Sequence, residues 1–94
     1  VLLAAAASAA DLKKGQEVYA EECQACHGES GAPNAALAKK LKVTMKDLRD
    51  PAVMGKSDEE HKRIILKGVG KMKPVKIPAP QADDVLAYVK TFKK

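Results

Sequence analysis

The stretch "CQACH" holds Cys23, Cys26 and His27: both cysteines of this 94-residue chain and one of its two histidines. Gathering nearly every thiol and imidazole into five adjacent positions implies a covalent or coordinative centre. Three chemistries use such a cluster: a thiol–disulfide pair, a zinc clamp, or an iron porphyrin attached through sulfur. The remainder of the chain has to choose between them.

A chain of 94 residues is one small domain, and such a globule buries only about 60–70% of the surface its unfolded chain exposes. This one is poor in large side chains, with no Trp, one Phe (Phe92) and two Tyr (Tyr19, Tyr88). Small domains with thin cores need a disulfide, a metal or a bulky cofactor. A Cys23–Cys26 bridge would close a very short loop and remove little unfolded-state entropy. A large apolar cofactor would supply core material directly.

The opening "VLLAAAASAADL" is apolar and small through Ala10 and turns charged at Asp11. Residues 1–10 read as the back end of a secretory signal with Ala-x-Ala spacing, or as an Ala-rich extension; 11–94 read as a single domain. A membrane span needs about 20 apolar residues, so stable insertion is not expected. Export would place the cysteines in an oxidising compartment, where unpaired thiols rarely persist. The net charge of +5 is modest for a nucleic-acid binder, and no helix carries basic residues along one whole face, so no nucleic-acid partner is expected.

Periodicity is helical almost throughout, without a convincing alternating strand. A first helix, capped by Asp11, is expected to run into the cysteine cluster with Gly15, Tyr19 and Cys23 on one stripe. "GESGAPN" (28–34) is loop chemistry, and "AALAKKLKV" a short helix with Leu37 and Leu41 inward. "TMKDLRDP" predicts one helical turn capped by Thr44 and stopped by Pro51. Ser57 and Glu60 form a capping-box pattern for a helix that reaches about Lys67, buries Ile64 and Ile65 and ends at Gly68. The irregular "GVGKMKPVKIPAP" follows. A last helix from about Pro80 or Gln81 places Val85, Val89 and Phe92 on one face beside Tyr88.

On a helical turn, Cys23 and Cys26 lie on one side, so both thiols reach the vinyl groups along one porphyrin edge. His27 then projects toward the iron at high effective concentration. This is the pattern of c-type haem attachment. A thioredoxin-like pair would need a preceding strand and βαβ context, and a structural zinc four ligands; the sequence supplies neither.

With these residues the chain resembles the class I cytochromes c. Gly15, Tyr19 and Cys23 match that family's first helix, Val85 and Tyr88 its last, and "GVGKMKP" its methionine-bearing loop. The likeness spans roughly Asp11 to Lys94. It implies an all-α class I cytochrome c fold of three to five helices around one haem c, bound through Cys23 and Cys26, with the terminal helices crossing. It also implies His27 as the proximal ligand, its Nδ1–H donated to the carbonyl of Pro33.

Met45, Met54, Met72 and His61 are the candidates for the sixth ligand. Met72 is preferred because it lies in a loop, where Gly68 and Gly70 let backbone approach a flat ring and Pro74 and Pro78 stiffen the chain. The family order, histidine early and methionine before the last helix, agrees. Met45 and Met54 read as gap-fillers in the core, and His61, among charged neighbours, as a solvated helix residue.

Iron with His27 and Met72 as metal ligands has no position left for substrate. That ligation implies a carrier of single electrons and no enzyme; with the export reading it is expected in the periplasm, and as a monomer. The run from Lys62 to Lys76 has six basic residues and no acidic one, which predicts transient docking of acidic redox partners near Lys71, Lys73 and Lys76. An electron-relay domain of a larger oxidoreductase is the alternative. A haem-based sensor or peroxidase with a labile methionine is a third class; rapid binding of carbon monoxide or cyanide at neutral pH would mark it.

Overall fold

The structure, a computed structural model, describes residues 10–93; the signal-like reading of 1–10 lies, but for Ala10, outside the described residues. Six helices are present among them: α1 (Leu12–Glu22), α2 (Gln24–His27), α3 (Ala35–Leu41), α4 (Pro51–Met54), α5 (Asp58–Lys67) and α6 (Ala79–Val89). The described residues contain no strand, only an isolated antiparallel bridge between Val69 and Met72. The fold is all-α. The helix count exceeds the expected five because two helices are single turns of four residues.

Local chemistry sets the helix ends. The Asp11 carboxylate accepts from the Lys14 N–H and caps α1, and Ser57 Oγ accepts from the Glu60 N–H and caps α5, each satisfying a donor that has no intrahelical partner. Gly68, at φ +78°, ends α5.

The first helix runs into the cluster as expected and ends at Cys23, and α2 restarts at Gln24. One expectation fails locally. The helical turn expected at 44–50 is absent, because Pro51 opens α4 instead of closing a helix before it. Asp50 is extended, as a residue preceding proline should be, but that preference marks a boundary without saying which side is helical.

The core forms where α1 crosses α6. Val18, Tyr19 and Val85 are buried in contact, with Cys23, Leu48, Ile65, Ile77, Tyr88, Val89 and Phe92 packed around them. All three aromatic residues of the chain meet here, their ring centroids 5.1–5.6 Å apart and tilted or edge-on, a favourable arrangement for ring quadrupoles. Phe92 joins although it lies beyond the end of α6. The cluster therefore sits directly behind the cysteine motif. α5 is held to α6 by the Lys62–Asp83 pair at 2.9 Å and by the Lys90–Asp58 pair.

Candidate functional site

Cys23, Cys26 and His27 open onto a cavity of about 690 Å³ whose lining also includes Glu22, Leu41, Val43, Thr44, Met45 and the segment from Val69 to Val75. The break at Cys23 positions the motif: α1 ends, the chain turns, and α2 carries Cys26 and His27 into the same cavity. Behind the motif, the Tyr19 hydroxyl donates to the Gly28 carbonyl at 2.6 Å. Asn34 ties the 28–34 loop back onto α2, its N–H donating to the Cys26 carbonyl at 2.9 Å and its Nδ2 to that of Ala25 at 3.2 Å.

The far wall is a tight turn. Val69 and Met72 exchange both backbone hydrogen bonds, at 3.0 and 2.9 Å, so their side chains share one face of the turn. The turn is anchored to α5 by the Val75 N–H donating to the Ile65 carbonyl at 2.8 Å. A Cβ on Gly68 would lie 2.5 Å from the Met72 carbonyl oxygen and 2.9 Å from the Pro74 nitrogen. Any side chain there would displace the segment that carries Met72. Gly70 has φ +55° and open space around its Cβ direction, so its role in this structure is the turn conformation.

The expected site residues Cys23, Cys26, His27, Gly70, Met72 and Pro74 thus share one cavity, and Pro33 does not line it. His27 Nδ1 is buried without a hydrogen-bond partner, so the expected bond to the Pro33 carbonyl is not made here; Asn34, not Pro33, secures the loop. Met54 and His61 also lie outside the lining, whereas Met45 lies within it. His61 is not the solvated residue expected. It precedes Ile64 and Ile65 by three and four positions, shares their inward face, and has Nε2 buried without a partner.

Electrostatics narrow the chemistry. Burial, then the Glu22 carboxylate and Cys26, push the Cys23 thiol up to about 11. It is a poor thiolate at neutral pH, contrary to what a redox-active thiol pair requires. Burial also holds the His27 imidazole below its ordinary value of 6.5, keeping it neutral and able to ligate. No three His, Cys, Asp or Glu side chains among the described residues converge as a metal cage.

What remains is a site shaped for a large apolar group bound through two sulfurs. Its volume is within the range of about 300–1,000 Å³ typical of cofactor sites, and Leu41, Val43, Val69, Pro74 and Val75 give it an apolar wall. With Nδ1 buried, Nε2 is the imidazole nitrogen available for iron. Fold and site define a small class I cytochrome c. Residues 10–89 match the family model described as cytochrome C oxidase, cbb3-type, subunit III, and the chain belongs to that family. It is also similar to the solved structure of KustC0563 c-type cytochrome, with 27% identity, a TM-score of 0.73, and coverage of 85% of this chain and 98% of that one. No curated protein matches the chain. The protein accordingly carries covalently bound haem c and serves haem-based electron transfer.

Proposed function

We propose that the protein is a one-electron carrier in which His27 and Met72 hold the haem iron from opposite walls of the cavity. The observation that carries this reading is that the "CQACH" segment and the Val69–Met72 turn face the same space from separate parts of the chain. Bound haem supplies a ferric/ferrous couple, and a thioether ligand raises its potential relative to two imidazoles. The residues of the chain supply rigidity. The turn is closed by its own hydrogen bonds and anchored to α5, so Met72 need move little between oxidation states. Were His27 and Met72 both to hold the iron, substrate would have no place on the metal, which suits a carrier and not an enzyme.

Met45 is the rival ligand, since it lines the same cavity. It lies in a segment without regular structure, whereas Met72 lies on a turn fixed at both ends. The test is the sulfur-to-iron absorption band of the ferric protein, together with an alkaline pyridine spectrum for thioether-linked haem. Met72→Ala should abolish the band and Met45→Ala should leave it; the reverse result would transfer the assignment to Met45.

Docking of an acidic partner at the cavity mouth completes the proposal. The two segments that lead into the lining, residues 35–46 and 61–76, carry Lys39, Lys40, Lys42 and Lys46, and Lys62, Arg63, Lys67, Lys71, Lys73 and Lys76, with no acidic residue; Glu22 supplies one carboxylate to the lining itself. Lys62 pairs with Asp83 and Arg63 with Glu60, so the field at the mouth comes chiefly from the others. Leu41 and Val69, 37% and 57% exposed, provide apolar contact at its centre. The Ala-rich opening residues support export to the periplasm, and no helix among the described residues is long and apolar enough to cross a membrane. The family's description as an oxidase subunit favours a second reading, an electron relay within a larger oxidoreductase. Isolating the native protein from a periplasmic extract or from a membrane complex separates the two.

A further inference from the structure

Lys71 lies one residue before Met72, and its ammonium donates to the Leu41 carbonyl at 2.8 Å, thirty positions away in sequence. Leu41 is the last residue of α3, and its carbonyl is one of those a helix C-terminus leaves without an intrahelical partner. A cation there is favoured by the helix dipole as well. Leu41 and Lys71 both line the cavity, so the bond spans its mouth and joins its two walls. The local backbone on the α3 side is set for this. Lys42 caps α3 in the left-handed region at φ +57°, its N–H shared between the Ala38 and Lys39 carbonyls, which leaves the Leu41 carbonyl to an outside donor.

We infer that Lys71 is a positioning residue that clasps the Met72 turn to the end of α3 and thereby holds Met72 in the cavity against displacement. The inference rests on Met72 as sixth ligand. At its α5 end the turn is secured by Gly68 and Val75, through backbone bonds to the Ile64 and Ile65 carbonyls. At its free tip, Lys71 makes the bond to the opposite wall. Without that bond the tip can swing about its α5 anchor, withdrawing Met72 while the rest of the fold stays intact.

The test is the rate at which imidazole replaces the methionine in the ferric holoprotein at fixed pH and ionic strength, followed by loss of the sulfur-to-iron band. An exposed charge-assisted bond of this kind corresponds to a rate increase of about three- to tenfold in Lys71→Ala. Lys71→Arg, which keeps a cationic donor, and Lys67→Ala, which removes an equal charge at the end of α5, should stay within about twofold of the native protein. Amide exchange in the holoprotein gives a second readout. Lys71→Ala should accelerate exchange at Val69 and Met72 and leave Gly68 and Val75 unchanged. Equal imidazole rates in Lys71→Ala and Lys67→Ala, or unchanged exchange at Met72, would overturn the clasp. A native ferric protein without the sulfur-to-iron band would instead defeat the ligand assignment, and the exchange data would still decide whether Lys71 holds the turn.

Discussion

A Cβ placed on Gly15 would lie 2.1 Å from the carbonyl oxygen of Asp84. The crossing of α1 and α6 is thus a backbone-to-backbone contact, reinforced by the Asp84 carboxylate accepting from the Asp11 N–H at 2.8 Å. Two effects oppose each other in Gly15→Ala. Helix propensity gains about 1 kcal/mol, but overpacking costs about 1–3 kcal/mol and more where backbone itself must move. No rotamer relieves a Cβ clash, so the cost dominates. The thermal midpoint of the holoprotein should fall by about 10 °C; an unchanged or higher midpoint would mean that the helices cross less closely.

Tyr19 joins the core to the haem-binding segment, with its ring in the aromatic cluster and its hydroxyl on the Gly28 carbonyl, the residue after His27. Burial first, then Cys23 and Tyr88, push its phenol well above the usual range, so it remains a neutral donor throughout the working pH. Tyr19→Phe keeps the ring and should cost about 1 kcal/mol. Tyr19→Ala also empties a site only 1% exposed and should cost about 3–5 kcal/mol. Denaturant melts of both variants measure the difference, which divides the residue's contribution between packing and hydrogen bonding.

What could be read from the sequence was what neighbouring residues decide. Asp11 and Ser57 mark helix starts and Gly68 a stop because capping is settled within about four positions. The "CQACH" motif is legible for the same reason, since both cysteines and the histidine fall within five positions. Pro51 misled because a proline fixes an extended residue before it whether a helix is ending or about to begin. Features with distant partners left no local trace. Lys71 reads as one more surface lysine until α3 is placed beside it. Met45 reads as core filler until Val43, Thr44 and Met45 are found along the cavity wall. His61, flanked by charge in sequence, turns inward because its spacing to Ile64 and Ile65 outweighs the polarity of its neighbours.

Removing the haem attachment should cost the fold more than any single core substitution. The buried apolar side chains among the described residues are Val18, Tyr19, Ala82, Val85 and Leu86, all on α1 and α6, so the cavity half of the domain has no buried core of its own. The Cys23→Ser/Cys26→Ser double variant should retain some helix by far-UV circular dichroism but lose a cooperative melt. A sharp transition in that apoprotein would show that α3, α5 and the Met72 turn pack stably by themselves.

Acid should destabilise the protein in two separate windows. Burial holds the His27 pKa below 6.5, so below that pH the unfolded chain binds the proton more readily than the folded one. In the haem-free chain, stability is then lost as pH falls from about 6.5 through the lower folded value. The Lys90 hydrogen bond holds Asp58 below its ordinary 3.8. That pair therefore contributes above 3.8 and is lost only as pH falls through the depressed value. In the haem-free chain, residual helix by far-UV circular dichroism should begin to weaken as pH falls below the ordinary 6.5. In melts of the ferric protein, Asp58→Asn should lie slightly and uniformly below the native protein above pH 5, since an exposed pair stabilises little, and the two curves should converge below 3.8. Convergence already near pH 6 would show that Asp58 is not held below its ordinary value.

Electron transfer to an acidic redox partner should depend on both walls of the cavity. If only the Lys73–Lys76 side docks, reversing charge on α3 changes nothing; if the mouth is the docking face, Lys39→Glu/Lys40→Glu and Lys73→Glu/Lys76→Glu slow association alike. Each double reversal should lower the low-salt second-order rate constant by about tenfold and flatten its dependence on ionic strength. Lys13→Glu is the control. It sits nine residues before Glu22 on α1, which places it roughly 14 Å along the helix from the cavity, beyond the screening length of about 8 Å at physiological salt. Its effect should be slight and should vanish first as salt rises. Stopped-flow measurements across ionic strength read all three variants, and an α3 reversal indistinguishable from Lys13→Glu would confine docking to the wall that carries Met72.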